Sequence, residues 1–133
     1  KLLLEQTDIL VVNETEFLGL LKKAPHSVDI DFIDKNISSL NIPMHVNVVI
    51  TLGDLGVIAY ANGKRKYYKS KKVKAIDTVG AGDCFVGALG FFLSENPDIF
   101  SAVKFANCAA ALSVTKKGAA KSMPSYDEVV KKL

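Results

Sequence analysis

Asp77-Thr78-Val79-Gly80-Ala81-Gly82-Asp83-Cys84-Phe85 is a run of small residues that leads straight into an apolar helical pattern. Upstream, Val73, Ala75 and Ile76 close a basic segment; downstream, Phe85, Ala88, Leu89 and Phe92 recur at helical spacing. The turn therefore delivers the chain into a helix N-terminus, where the first N–H groups lack partners and carry partial positive charge. Gly80, Ala81 and Gly82 leave their amides uncovered, which suits an anion. Asp83 is out of keeping with that, because a carboxylate repels an anionic ligand. It fits if it takes a proton from a hydroxyl that attacks a bound phosphoryl group. The same residues also admit a plainer reading, a tight glycine turn with Asp83 as a helix cap. A dinucleotide fingerprint would need a small residue in place of Phe85, and a Walker loop needs Gly-Lys-Ser/Thr, which does not occur.

Working outward, Leu2 to Gln6 reads as the tail of a helix. Ile9 to Val12 is a short, wholly apolar run of the kind expected for a strand covered on both faces. Asn13-Glu14-Thr15-Glu16 opens a short helix that ends near Lys22, and Ile30, Ile33, Ile37 and Leu40 give Asp29 to Leu40 helical spacing. Val46 to Leu52 is a second buried strand, stopped by Gly53. Val57 to Ala61 and Lys66 to Tyr68 flank Asn62-Gly63, a strong hairpin signal. Helices are expected from Gly82 to about Leu93 and from about Ile99 to Thr115. The second of these is apolar nearly all round and must be buried on more than one side. Ser125-Tyr126-Asp127-Glu128 has the capping-box form and starts a C-terminal helix. Strand, helix, strand, hairpin, helix, helix is the order of half an α/β sandwich, with parallel strands and an antiparallel ribbon. The chain opens in mid-helix without an initiating Met, so upstream residues are expected to be missing.

Composition agrees with one modest domain: 133 residues, 49% of them hydrophobic. No apolar run approaches the roughly 18 residues that a membrane span needs. No signal peptide opens the chain, since Leu2-Leu3-Leu4 is followed at once by Glu5. Cys84 and Cys108 show no metal spacing and read as free thiols of a reducing cytosol. A helix start could lower the Cys84 pKa, but plain packing is the expected role. His26 and His45 read as ordinary surface or loop residues. Net charge is +3, with Lys64, Arg65, Lys66, Lys69, Lys71, Lys72 and Lys74 crowded together. Tyr67 and Tyr68 are the only stacking candidates beside them, so a solvated hairpin is expected rather than a nucleic-acid patch.

Taken together, the motifs resemble the C-terminal part of ribokinase-type sugar kinases, the PfkB carbohydrate kinase family that also holds fructokinases and adenosine kinases. The resemblance runs over essentially all 133 residues. It rests on Asn13-Glu14-Thr15-Glu16, Thr51-Leu52-Gly53-Asp54-Leu55-Gly56, Asp77 to Phe85, and Lys116-Lys117-Gly118-Ala119 with Ser122. The implied fold is α/β, the C-terminal half of a ribokinase-like three-layer α/β/α sandwich, mainly parallel with an antiparallel hairpin. Residues 1–133 would be its nucleotide-binding and catalytic part, without the N-terminal sugar-binding and lid part.

The resemblance also implies roles. Asp83 would bind the substrate and act as catalytic base, with Gly80, Ala81 and Gly82 as the anion hole. Asn13, Thr51, Leu52, Gly53, Asp54, Leu55, Gly56, Gly82, Asp83 and Asn107 would contact the nucleotide, the glycines allowing close backbone approach and Asn107 lying at the adenine. Asn13 and Glu16 would hold magnesium through water, suited to a hard cation that keeps several waters. Helix cap and solvated first-turn acid are their ordinary roles. Asp77, Val79, Ser113, Lys116, Gly118 and Ser122 would surround an activating potassium ion, mostly through backbone carbonyls. Such an ion behind the turn would fix the orientation of its N–H groups.

The implied function is ATP-dependent phosphorylation of the primary hydroxyl of a sugar, D-ribose to ribose 5-phosphate before the alternatives fructose, a keto-deoxy-sugar acid or adenosine. A non-catalytic nucleotide-binding piece is the competing class. The isolated chain is expected to be inactive, the location cytoplasmic, and the partners ATP and a small sugar, with no nucleic acid and no membrane. A full-length homodimer is also implied, because many relatives pair through an N-terminal lid.

Overall fold

Ile9–Asn13 (β1) and Asn47–Thr51 (β2) run parallel and in register, from Ile9 opposite Asn47 to Asn13 opposite Thr51. This is the arrangement in the computed structural model, which describes residues 2–24 and 26–133. A tight turn at Asn62-Gly63, both with positive φ, folds Gly56–Ala61 (β3) back on Lys64–Lys69 (β4). β3 pairs antiparallel with β2, so the sheet order is β1-β2-β3-β4. The remaining elements are the helices α1 (Leu2–Glu5), α2 (Glu14–Leu20), α3 (Ile30–Asn36), α4 (Ala81–Glu95), α5 (Ile99–Ser113) and α6 (Tyr126–Val130). Among the described residues no helix is long and apolar enough to cross a membrane.

Two compact units divide the chain. The described residues up to Gly53, with Val57–Tyr67, form the first, and Asp54–Gly56 with Tyr68–Leu133 form the second. In the first unit Val12, Phe17, Ile33, Val48, Ile50, Leu52 and Ile58 make one core, with Tyr60 and Tyr67 packed against it. The exposed side is held by Asp34, which takes both the Tyr60 hydroxyl (2.5 Å) and a two-pronged contact from Arg65. Part of the basic stretch is thus spent on internal structure.

In the second unit α4 and α5 pack along each other around Cys84, Phe105, Cys108 and Ala109, with Val129 of α6 completing the cluster. Most of α5 is buried, including Ala102, Val103, Ala106 and Asn107, as its all-round apolar pattern requires.

The helical stretch expected over Asp29 to Leu40 divides at Asn36, and Ile37–Leu40 tightens into a 3₁₀ turn. Asn36 Nδ2 donates to the Phe32 carbonyl and Ser39 Oγ to the Asn36 carbonyl. Those side chains compete with the backbone ladder. α5 stops two residues short of Thr115 in the same manner, with the Ser113 and Thr115 hydroxyls donating to the carbonyls of Ala110 and Leu112.

Candidate functional site

In the first unit the carboxyl ends of two parallel strands gather the predicted residues. Asn13 is the last residue of β1 and Thr51 the last of β2, and they stand opposite each other. The crevice beyond the carboxyl ends of parallel strands is where open α/β sheets bind ligands. Asn13 caps α2: its Oδ1 accepts the Glu16 N–H, while Glu16 Oε2 accepts the Asn13 N–H, both at 2.9 Å. The chain continues from β2 through Leu52 into Gly53, where a Cβ would stand 3.8 Å from Glu14 Oε1. Leu52 itself is fully buried in the core.

In the second unit α4 opens without a capping side chain. Its N-cap is Gly80, at φ 80°, which makes no side-chain capping bond; the Ala81 N–H, expected to be uncovered, donates to the Thr78 carbonyl at 3.3 Å. Asp83 stands in that turn and is exposed. Two contacts fix the entry to the turn. The Ile76 and Asp77 N–H groups both donate to the Val114 carbonyl at the end of α5, at 2.7 and 3.2 Å. The Asp77 carboxylate accepts the Val79 N–H on one oxygen and the Gly118 N–H on the other. Gly80 is pressed against Ala119, whose Cβ would lie 3.0 Å from a Cβ at position 80. A left-handed φ and this close neighbour together require glycine there.

Gly56 and Asn107 each have protein partners at the end of β4. Gly56 lies at φ 117°, and a Cβ there would sit 2.1 Å from the Tyr68 carbonyl oxygen. Its missing side chain admits the end of β4. Asn107, on α5, donates from Nδ2 to the carbonyls of Lys69 (3.0 Å) and Tyr68 (3.4 Å), clamping the same strand end. Asp54 and Leu55 lie in the short 3₁₀ turn Gly53–Leu55, and the Leu55 carbonyl accepts the Ser70 N–H.

Residues 1–126 match the pattern of the pfkB family carbohydrate kinases. The chain belongs to that family. Fructokinase-1 of Oryza sativa subsp. japonica is 39% identical over 134 aligned residues, covering 96% of this chain and 40% of that protein. The ribokinase of Arabidopsis thaliana, solved with ribose and ATP, superposes with a TM-score of 0.83 at 32% identity over 97% of this chain and 41% of that one. An E. coli chain solved with ATP and Mg2+ gives a TM-score of 0.79 at 29% identity, over 98% of this chain and 40% of its own. The fold is therefore that of the ribokinases, and the chain spans about two fifths of the length of these relatives.

For a pfkB kinase the donor sets suit the cations the family context implies. Asn13 and Glu16 offer oxygen only, and the capping box leaves Glu16 Oε1 unused on an exposed side chain. That fits a hard divalent cation held through water. Among the residues expected around potassium, Asp77 is the one carboxylate, and the Ser113 carbonyl accepts the Lys116 N–H at 3.4 Å. Ser122 is buried with its hydroxyl donating to the Ala119 carbonyl, and the Lys116 ammonium pairs with Glu128 at 3.2 Å.

Backbone N–H groups of Gly118, then Val79, hold the Asp77 pKa below the usual carboxylate range. Burial pushes the Cys84 thiol up, with the Ser113 hydroxyl opposing. The helix start does not activate it, and Cys84 packs in the core. Sequence reasoning missed Ala119 and Val114. Both act through backbone or a single methyl, and the small pair Gly118-Ala119 was the only hint of the close approach to Gly80.

Proposed function

We propose that this pfkB-family chain is the nucleotide-binding and catalytic C-terminal portion of an ATP-dependent sugar kinase whose acceptor is D-ribose. The observation that carries this reading is the start of α4, where an uncapped glycine turn and an exposed Asp83 share one helical turn. Amides of that turn face charge developing on the transferring phosphoryl group, in the manner of an oxyanion hole. Asp83 takes the proton of the acceptor's primary hydroxyl. The hydroxyl oxygen bonds to the γ-phosphorus as the bond to the β–γ bridging oxygen breaks, and ADP leaves. Thr51 to Gly56 line the nucleotide through backbone, and Asn107 borders the adenine with the Oδ1 that its clamp leaves over. Asn13 and Glu16 would hold magnesium through water, and the ion would supply neutralisation of phosphate charge there. Asp77, Val79, Ser113, Lys116, Gly118 and Ser122 would hold a potassium ion, which would steady the turn from behind.

Ribose is supported by the ribokinase relative solved with ribose and ATP. Fructose is the second candidate, because a fructokinase stands at 39% identity. Two buried free cysteines agree with a reducing cytoplasm. The deciding experiment is an ATP-dependent phosphorylation screen of the intact protein across ribose, fructose, adenosine and keto-deoxy-sugar acids, in potassium and in a large organic cation. Turnover on ribose that falls without potassium is the expected result. Magnesium-dependent ATP binding with no phosphotransfer to any acceptor would overturn catalysis.

A further inference from the structure

The net charge of +3 falls wholly in the second unit, which has ten lysines against seven acidic residues, while the first has equal numbers of each sign. Three separate segments of the second unit bring lysines together. Lys71, in the stretch that follows β4, donates from Nζ to the main-chain oxygen of Leu133 at 3.4 Å, and Lys132 is the residue beside Leu133. Lys104 is the one exposed residue from Ala102 to Ala109 of the otherwise buried α5. It precedes Cys108 by four residues and so shares its side of the helix. Burial pushes the Cys108 thiol up, and the charges of Lys71, Lys104 and Lys132 all oppose that push, so the three stand around one point. Among the described residues neither Lys104 nor Lys132 belongs to an ion pair. Lys72 and Lys131 are exposed next to them in sequence. Aliphatic side chains are interleaved with this charge: Val73 is 37% exposed, Val130 45% and Leu133 42%.

We propose that this lysine face docks on a membrane surface rich in anionic phospholipid, the lysines among the headgroup phosphates and Val73, Val130 and Leu133 at the acyl boundary. Clustered lysines are attracted by the negative potential of such a surface, and a few aliphatic side chains add a term that grows with the apolar area buried. Lysine is a compact charge on a flexible stem, which suits a field of mobile headgroups. Nucleic acid would draw on arginine and on exposed stacking rings. The chain's one arginine, Arg65, is engaged by Asp34, and Tyr67 and Tyr68 are half-buried. Contact of this kind needs no apolar run of roughly 18 residues, so it stands apart from the expected absence of a membrane partner. It goes beyond the sugar-kinase reading and does not depend on it.

The test is cosedimentation of the intact protein with phosphatidylcholine vesicles, either pure or carrying about 30 mol% phosphatidylserine. At about 0.1 M salt the partition coefficient is expected to be at least about tenfold higher for the anionic vesicles, a difference that vanishes near about 1 M salt as screening shortens. Lys104→Glu should lower it on the order of tenfold. Lys35→Glu makes the same charge change at an exposed position of α3 in the first unit and should alter it by less than about twofold. Equal partitioning into both kinds of vesicle would overturn the proposal. An equal loss in the two variants would overturn it in favour of net charge alone. Salt-sensitive binding to single-stranded RNA without binding to vesicles would overturn it in favour of nucleic acid. Lys132→Glu carries the test if Lys104→Glu does not fold.

Discussion

Asp77 ties Gly118 to the turn before α4: its Oδ2 accepts the Gly118 N–H at 3.0 Å across 41 residues of sequence, while Oδ1 accepts the Val79 N–H, also at 3.0 Å. One ionised side chain thereby holds the Lys116-Lys117-Gly118-Ala119 loop against the glycine turn. The tie depends on charge, because both contacts favour the carboxylate over the acid and lower its pKa.

The sign of the pH dependence follows. In the unfolded chain Asp77 titrates as an ordinary carboxylate, so its folded pKa lies below its unfolded one. Its stabilising contribution is complete above the unfolded value and is lost as pH falls through the folded one. Glu128 shifts the same way, held first by the Ser125 N–H and then by Lys116. Asp77→Asn should therefore be less stable than the parent at pH 7, with the gap closing below about pH 4. Urea unfolding at a series of pH values reads this directly. A gap as wide at pH 3 as at pH 7 would mean that the carboxylate's charge is not what joins the two segments.

Gly80 and Gly82 are two residues apart and should respond oppositely to a methyl group. Gly80→Ala places a Cβ in a left-handed backbone and 3.0 Å from Ala119, so about 1–3 kcal/mol of strain is expected. Turnover should also fall on the order of 10²-fold or more, as when one oxyanion-hole donor is lost. Gly82 has ordinary helical backbone and open space around it, so Gly82→Ala should leave stability unchanged or raise it by up to about 1 kcal/mol. Any loss of activity in that variant then reports a ligand approaching the amide. Thermal unfolding and steady-state kinetics on the pair separate the effects; equal destabilisation by both would contradict the geometry.

Asn107 is buried with its amide nitrogen committed to two carbonyls of the β4 end. Asn107→Leu should cost about 1–3 kcal/mol, the penalty of leaving such acceptors unpaired. If Oδ1 also meets adenine, ATP Kd should rise about tenfold, one hydrogen bond's worth. Calorimetry below the variant's unfolding temperature supplies the Kd. Lost stability with unchanged affinity would assign Asn107 to the clamp alone.

Features encoded over a few residues were legible without the fold. Asn62-Gly63 announced its hairpin because two adjacent positive φ angles need those residue types. Ser125 and Glu128 announced a capping box, which forms on α6. Asn13 and Glu16 make the same box on α2, so their ordinary structural role is now as plain as the magnesium role proposed for them. What escaped depends on segments far apart in sequence: Ala119 against Gly80, Val114 receiving two amides, Asn107 clamping a strand end. The protein neighbours of Gly56 and Leu52 were hidden for the same reason. A glycine in a motif shows that some backbone comes close, but not whether that backbone is ligand or protein.

Asp83 stands exposed in the first turn of α4, beside amides that no side chain caps. In Asp83→Asn the shape and the helix N-terminus are kept while the ability to accept a proton is removed. ATP Kd should be nearly unchanged, and kcat should fall by roughly 10²–10⁴, the usual worth of a general base. Single-turnover measurements with saturating ATP and acceptor separate this from slow product release. Weakened ATP binding with turnover retained would instead make Asp83 a structural element of the helix start, and the plain turn-and-cap reading of the motif would stand.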